Sequence, residues 1–225
     1  MRGRSISFTH PGHQRKNNED AFYSSDDRGL WIVCDGMGGH QEGNFASHLV
    51  TDIFEQMQMN GDFDSKIDDI TAQIYNIHRI LQKKSHKIGQ NVVIGTTLVI
   101  LFIEGSKGVC IHSGDSRCYI YRNDKLSMVT QDHARTVIHN GEERKVLTKA
   151  LSAPGELAIE VKRFNVQNSD VYLLCSDGFY DNLSNTTLKE GMQTTYISEG
   201  LHQMSSNVLN GVADDNLTAT MVEVC

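Results

Sequence analysis

Leu30-Trp-Ile-Val-Cys34 is an apolar run of strand length that stops at Asp35-Gly36. A different rhythm follows. Ala46, Leu49, Val50, Ile53, Phe54 and Met57 recur at helical spacing, and Ile67, Ile70, Ile74, Ile77 and Leu81 repeat the pattern. Polar residues fill the intervals, so each segment predicts an amphipathic helix with one face on a core. Strand signals then dominate. Val92–Ile103 and Val109–His112 are joined by the turn Glu104-Gly-Ser-Lys-Gly108, and Cys118–Arg122 and Leu126–Thr130 flank Asn123-Asp124-Lys125. Val171–Cys175 predicts another strand, stopping at Ser176-Asp177-Gly178. Leu183–Met192 and Thr195–Val212 predict helices, and the alternation over Leu217–Val224 predicts a terminal strand. Hairpins flanked by helix pairs predict antiparallel sheets covered by helices rather than alternating βαβ units.

The 225 residues are enough for one large domain or two small ones. Only Pro11 and Pro154 occur, and no repeat, charge run or low-complexity tract marks a linker, so a single domain over 1–225 is expected. A net charge of −7 weighs against a nucleic-acid partner. The longest apolar run, Val92–Ile103, falls short of the ~18–20 residues of a membrane-spanning helix. The start, Met1-Arg-Gly-Arg-Ser-Ile-Ser7, shows no apolar signal-peptide core. Cys34, Cys110, Cys118, Cys175 and Cys225 are odd in number and form no Cys-x-x-Cys, which argues against a disulfide framework or a structural zinc site. The expected compartment is the cytoplasm, with reduced thiols.

The informative feature is where the acidic residues stand. Asp35 ends a strand in Val33-Cys-Asp-Gly-Met-Gly-Gly-His40, Asp115 follows one in His112-Ser-Gly-Asp-Ser-Arg117, and Asp177 ends a third. Asp214 and Asp215 precede the last strand, and Glu19-Asp20 precede Ala21-Phe-Tyr23. Carboxylates at the mouths of buried strands are costly unless neutralised, and converging ones repel. An all-oxygen ligand set of this kind suits Mg²⁺ or Mn²⁺ rather than Zn²⁺. Asp-Gly is also a common turn pair, so on the residues alone turn and ligand both stay open.

Taken in order, the motifs resemble the metal-dependent Ser/Thr protein phosphatases of type 2C (the PPM family) in their compact bacterial form. Arg15-Lys-Asn-Asn-Glu-Asp20, Asp35-Gly-Met-Gly-Gly-His40, Gly95-Thr-Thr-Leu98, Gly114-Asp-Ser-Arg117, Asp132-His133, Ser176-Asp-Gly178 and Asp215-Asn-Leu-Thr218 carry the resemblance, over about residues 5–224. It implies an α/β (α+β) fold, a four-layer αββα sandwich of two antiparallel sheets flanked by helix pairs. It implies hydrolysis of phosphoserine and phosphothreonine by direct attack of a hydroxide bridging two Mn²⁺ or Mg²⁺ ions. Asp35 would bridge the ions, the Gly36 carbonyl would bind one, and Asp177 and Asp215 would hold the other. Asp20 would act mostly through metal-bound water, with Glu19 sharing that role or standing behind the ligands; Asp214 has no role in the motif and is read as standing behind the ligands or facing solvent. Asp115 with Asp177 resembles the site of a third, weaker ion, and Arg15 would grip substrate phosphate.

Two features depart from the pattern. Animal relatives carry a histidine, a suggested general acid, directly after Asp-Gly; here Met37 stands there, and His40 is the nearby candidate. A structural histidine at the start of the first helix is the alternative, with a metal-bound water as proton donor. Only Ala134–Lys145 separate Asp132-His133 from Val146-Leu-Thr-Lys-Ala150, so the flap around 133–146 should be short. The implied partners are phosphorylated proteins and the Ser/Thr kinase whose action is reversed, with no nucleic acid or membrane, and the chain is expected to be a monomer. Alternatives are the sporulation branch of the superfamily, acting on anti-sigma-factor antagonists, and a pseudophosphatase binding module. No cysteine begins a Cys-x5-Arg, Gly114-Asp-Ser116 lacks the glycines of a serine-hydrolase elbow, and no P-loop occurs. Cys34 and Cys175 lie inside apolar strands, where a thiol is inert.

Overall fold

The computed structural model describes residues 1–38, 41–89, 92–139, 142–153 and 156–225. The elements run β1 (Gly3–His10), β2 (Asp20–Ser25), β3 (Leu30–Met37), α1 (Gln41–Gln56), α2 (Phe63–Ile88), β4 (Gly95–Thr96), β5 (Leu98–Glu104), β6 (Lys107–Ser113), β7 (Arg117–Arg122) and β8 (Lys125–Met128). They continue through β9 (Ala134–His139), β10 (Glu142–Leu147), β11 (Glu160–Asn165), β12 (Val171–Cys175), a one-turn α3 (Asp177–Tyr180), α4 (Asn185–Met192), α5 (Ile197–Leu209) and β13 (Leu217–Val224). One sheet has the order β1-β13-β12-β7-β8 and the other β11-β6-β5-β3-β2, with β4 added to the end of β3. Every pairing between these strands is antiparallel.

Strand periodicity explains the layers. In β3, Leu30, Ile32 and Cys34 face the helices α1 and α2, while Trp31 and Val33 face the other sheet. In β5, Leu98, Ile100 and Phe102 take the helix side, and Val99, Leu101 and Ile103 the inter-sheet side. A strand buried on both faces reads as a continuous apolar run, which is why β3 and β5 lack alternation. The opposite sheet repeats the scheme: Val171, Leu173 and Cys175 meet α4 and α5, while Tyr172 and Leu174 point inward. Helix, sheet, sheet and helix therefore stack as the expected αββα sandwich. Among the described residues no helix is long and apolar enough to cross a membrane.

Several expectations shift. The run Val92–Ile103 is divided: Gly95 and Thr96 pair with Met37 and Gly36, and Thr97 interrupts the strand because its hydroxyl is engaged with Asp35 and Ser116. The helix expected over Leu183–Met192 starts only at Asn185, where the Ser184 hydroxyl accepts from the Thr187 N–H at 3.0 Å. The one expected over Thr195–Val212 shortens to Ile197–Leu209. Strands β1, β2 and β11 and the β9–β10 hairpin arise without a sequence expectation. In β1, Ile6 and Phe8 face the α4–α5 side, whereas Ser7 bonds Ser24 and Thr220 at 2.9 Å each and Thr9 bonds Thr218 at 2.8 Å. The inter-sheet layer is thus apolar around Trp31 and lined with hydroxyls along β1.

Candidate active site

Asp20 and Asp35 are direct cross-strand partners in the β2–β3 register, so their side chains share one face. Directly opposed like charges destabilise a sheet, at Cβ separations of about 5 Å. Asp35 lies near the end of β3, Asp177 opens α3 two residues after β12, Asp215 stands two residues before β13, and Asp115 occupies the β6–β7 turn. The antiparallel registers bring these chain segments to one end of the sandwich: Cys175 pairs with both Arg117 and Ala219.

The carboxylates raise one another. Burial, then the charges of Asp20, Asp177, Asp115 and Asp215, push Asp35 well above the ordinary carboxylate range. Asp20 is pushed up to about 7, chiefly by burial, against hydrogen bonds from Ser176 and Thr218 that favour its charged form. Asp177 is pushed up to about 6 by burial and by Asp115 and Asp215. One oxygen of Asp20, Oδ1, is buried with no hydrogen-bond partner. A buried acceptor without a donor, in a ring of mutually repelling oxygens, is the environment a hard divalent cation satisfies. Asp20, Asp35, Asp177, Asp215 and the Gly36 carbonyl fit such an ion.

Neutral groups hold this ring in shape. The Thr97 hydroxyl accepts from the Asp35 N–H at 2.9 Å and meets the Ser116 hydroxyl at 2.7 Å, tying the Asp35 and Asp115 segments together. Ser176 donates to Asp20 Oδ2 at 2.7 Å and accepts from the Thr218 N–H at 3.0 Å. Asn216 accepts from the Glu19 N–H at 2.8 Å and donates to the carbonyls of Pro11 and Asn17 at 3.0 Å each. That side chain stitches the Arg15 loop to the Asp215 turn. Gly36 admits no side chain, because a Cβ would lie 2.2 Å from the Gly43 carbonyl oxygen and 2.6 Å from that of Glu19. The motifs named these residue types, but their bracing roles depend on contacts across the fold that spacing does not reveal.

The remaining expected residues fall as follows. Arg15 is exposed at the mouth, its Nη2 2.9 Å from Asp215 Oδ2. Glu19 lies against Gly43 at the start of α1. Asp214 faces solvent and lines the outer cleft with Arg15 and Asp181. Asp115 is buried and carries Lys145 on its Oδ2 at 2.7 Å. His40 lies outside the described residues. An inner cleft of about 390 Å³ is lined by Asp35, Asp115, Asp177, Asp215 and Lys145, and two outer clefts of about 520 and 610 Å³ share Arg15 and Asp215. A larger hollow, about 840 Å³, lies between β8 and α4 and is lined by none of these carboxylates.

A second cluster, His112, His133 and Glu160, has its ligand atoms within 4.8 Å of one another. Its rings stack at 4.7 Å, His133 Nε2 meets Glu160 at 3.1 Å, and its Nδ1 accepts from the Gly114 N–H at 3.3 Å. His112 Nε2 meets the Gln131 carbonyl at 2.9 Å. These contacts make the cluster a brace for the Gly114–Asp115 turn, with His112 Nδ1 its one buried nitrogen lacking a partner. Cys34 and Cys175 are buried in their strands, and burial above all pushes both thiols upward.

The model of protein phosphatase 2C matches residues 10–221. The chain belongs to the protein phosphatase 2C family. The serine/threonine protein phosphatase PstP of Mycobacterium tuberculosis is 30% identical over 229 residues, covering 95% of this chain and 43% of PstP. The chain therefore spans less than half the length of that relative. Among solved structures, PppA, a key regulatory component of T6SS in Pseudomonas aeruginosa, superposes with a TM-score of 0.92 at 29% identity, over 99% of this chain and 98% of PppA. The catalytic domain of PstP, solved in complex with two manganese ions, superposes with a TM-score of 0.81 at 28% identity, over 100% of this chain and 99% of that one. The protein phosphatase 2C fold thus spans the described chain from β1 to β13.

Proposed function

We propose that this chain is a metal-dependent protein serine/threonine phosphatase, working with two Mn²⁺ or Mg²⁺ ions. The supporting observation is the Asp20–Asp35 cross-strand pair, with both carboxyls pushed upward and Asp20 Oδ1 buried without a partner. When bound, such an ion pair supplies a water of lowered pKa and neutralises charge on the phosphoryl group. Asp35 and the Gly36 carbonyl would hold one ion, Asp35, Asp177 and Asp215 the other, with Asp20 engaged through water. Ser176 fixes one oxygen of Asp20, and Thr97 fixes the backbone of Asp35. Arg15 binds and orients the phosphate, because its planar fork matches two phosphoryl oxygens and it stands exposed at the mouth. Clefts that open beside Arg15 suit a phosphorylated side chain presented by another protein. His40 is the candidate proton donor to the leaving oxygen.

The likeness to PstP supports phosphoproteins as substrates and reversal of a bacterial Ser/Thr kinase as the role. The pseudophosphatase reading is disfavoured because the full acidic set is retained. We place the protein in the cytoplasm as a monomer, a single phosphatase domain with the β9–β10 hairpin as its short flap. The test is hydrolysis of a phosphothreonine peptide: EDTA abolishes it, Mn²⁺ restores it, and Asp35→Asn loses both Mn²⁺ binding and turnover. Full activity in metal-free protein overturns the reading.

A further inference from the structure

The β9–β10 hairpin places a cation inside the cleft. Lys145, on β10, sets its Nζ 2.7 Å from Asp115 Oδ2, 2.7 Å from the Tyr180 hydroxyl and 3.7 Å from Asp132 Oδ2. The Tyr180 hydroxyl donates to the Asp115 carbonyl at 3.0 Å, which leaves its lone pairs to accept from the ammonium. The receptor for the lysine is itself fixed. Arg117 grips Asp132 through two hydrogen bonds of 2.9 and 2.7 Å and lies 3.6 Å from the centre of the Tyr180 ring. No step proposed above uses Lys145, Asp132 or Tyr180.

The placement gives the contact a purpose. Asp35, Asp115, Asp177 and Asp215 line one cleft with Lys145, and of these Asp115 is the carboxylate that the ammonium meets at 2.7 Å. We propose that the Lys145 ammonium is a tethered cation that withholds Asp115 from metal, limits the enzyme to two ions and latches the β9–β10 hairpin over the site. This rests on the metal-dependent reading above. A divalent ion at Oδ2 would need the oxygen that Nζ already meets at 2.7 Å, and one at Oδ1 would face the ammonium's charge across a single carboxylate. Lysine and a further ion therefore compete for Asp115. Unlike a weakly bound ion, the lysine is not lost to dilution or to a chelator.

The experiment counts ions. Mn²⁺ bound at equilibrium is measured by dialysis with elemental analysis, and free Mn²⁺ by electron paramagnetic resonance, for the wild type, Lys145→Met, Lys145→Arg and the double variant Lys145→Met/Asp115→Asn. Wild type and Lys145→Arg should stop at two ions in millimolar Mn²⁺, Lys145→Met should gain a third, and the double variant should return to two. Amide exchange over 134–139 and 142–147 should be faster in metal-free Lys145→Met than in the metal-free wild type, and equal exchange overturns the latching of the hairpin. A third ion in the wild type, or Lys145→Met stopping at two, overturns the latch alone. A wild type that binds no Mn²⁺ overturns the metal-dependent reading, and the latch with it.

Discussion

Arg15 leans on Asp215 while 57% of its side chain stays exposed. A pair so exposed is worth about 0–1 kcal/mol, so the guanidinium can leave it for a phosphate at little cost. Charge-assisted hydrogen bonds to that phosphate are worth roughly 1.5–3 kcal/mol. Arg15→Ala should lower kcat/KM on a phosphothreonine peptide by about one to two orders of magnitude, part of it in KM because ground-state phosphate is held too. Calorimetry should find Mn²⁺ affinity within about fivefold of the wild type, the limit set by an exposed pair. Wild-type kinetics would exclude Arg15 from phosphate binding. Ser176 makes the complementary case, since it touches Asp20 and no outer cleft. Ser176→Ala removes the hydroxyl that donates to that carboxylate at 2.7 Å, and Mn²⁺ affinity should fall about 10- to 100-fold, the value of a hydrogen bond to a charged group. An unchanged Mn²⁺ isotherm would mean that Asp20 needs no aiming.

The approach of α1 to the end of β3 depends on Gly36 and Gly43, which bring backbone against backbone beside the carboxylates. Gly36→Ala would push a methyl into two carbonyl oxygens that are part of the main chain, so an element must move. Overpacking of this sort costs about 1–3 kcal/mol, or roughly 2–10 °C in Tm for a chain of this size. A thermal melt with no loss would show that the contact is loose. The same elements show what was legible in the sequence. Strands β3, β6 and β12 announced themselves as continuous apolar runs, and α1, α2 and β13 by their period; Asp35, Asp115, Asp177 and Asp215 stood beside these elements, whereas Glu19 and Asp20 stand at β2, which no such run marked. Strand β1 hid its alternation, since Ser7 and Thr9 fill the inward positions with hydroxyls that bond across the layer. Strand β11 is polar because it is an edge, with Lys162 and Arg163 exposed. The Lys145–Asp115 contact joins residues thirty positions apart, through a hairpin whose apolar residues Ile138 and Val146 are exposed, so no periodicity marks it.

At the scale of the whole molecule, the sandwich gathers its repelling charge at one end, and pH reads that out. Asp20 at about 7 and Asp177 at about 6, with Asp35 also raised, keep protons in the fold that the unfolded chain has lost above about 4. The folded state binds more protons across that window, so these groups make metal-free protein less stable as pH rises from about 4 to about 7. Asp132, held low because Arg117 outweighs its burial, acts only at more acid pH. His78 and His112, lowered by burial, act in the opposite sense below about 6.5, because there the unfolded chain takes up the protons. The melting temperature of metal-free protein alone therefore mixes two trends. The gain in Tm on adding Mn²⁺ separates them, since the ion displaces protons from the carboxylates and leaves the histidines as they were. That gain should be larger at about pH 7.5 than at about pH 5.5, where the raised carboxyls are still protonated and the ion must compete for them. Differential scanning calorimetry at the two pH values, with EDTA and with saturating Mn²⁺, measures it. A gain that is equal at both, or larger in acid, would show that the carboxylate cluster is not where the ion binds.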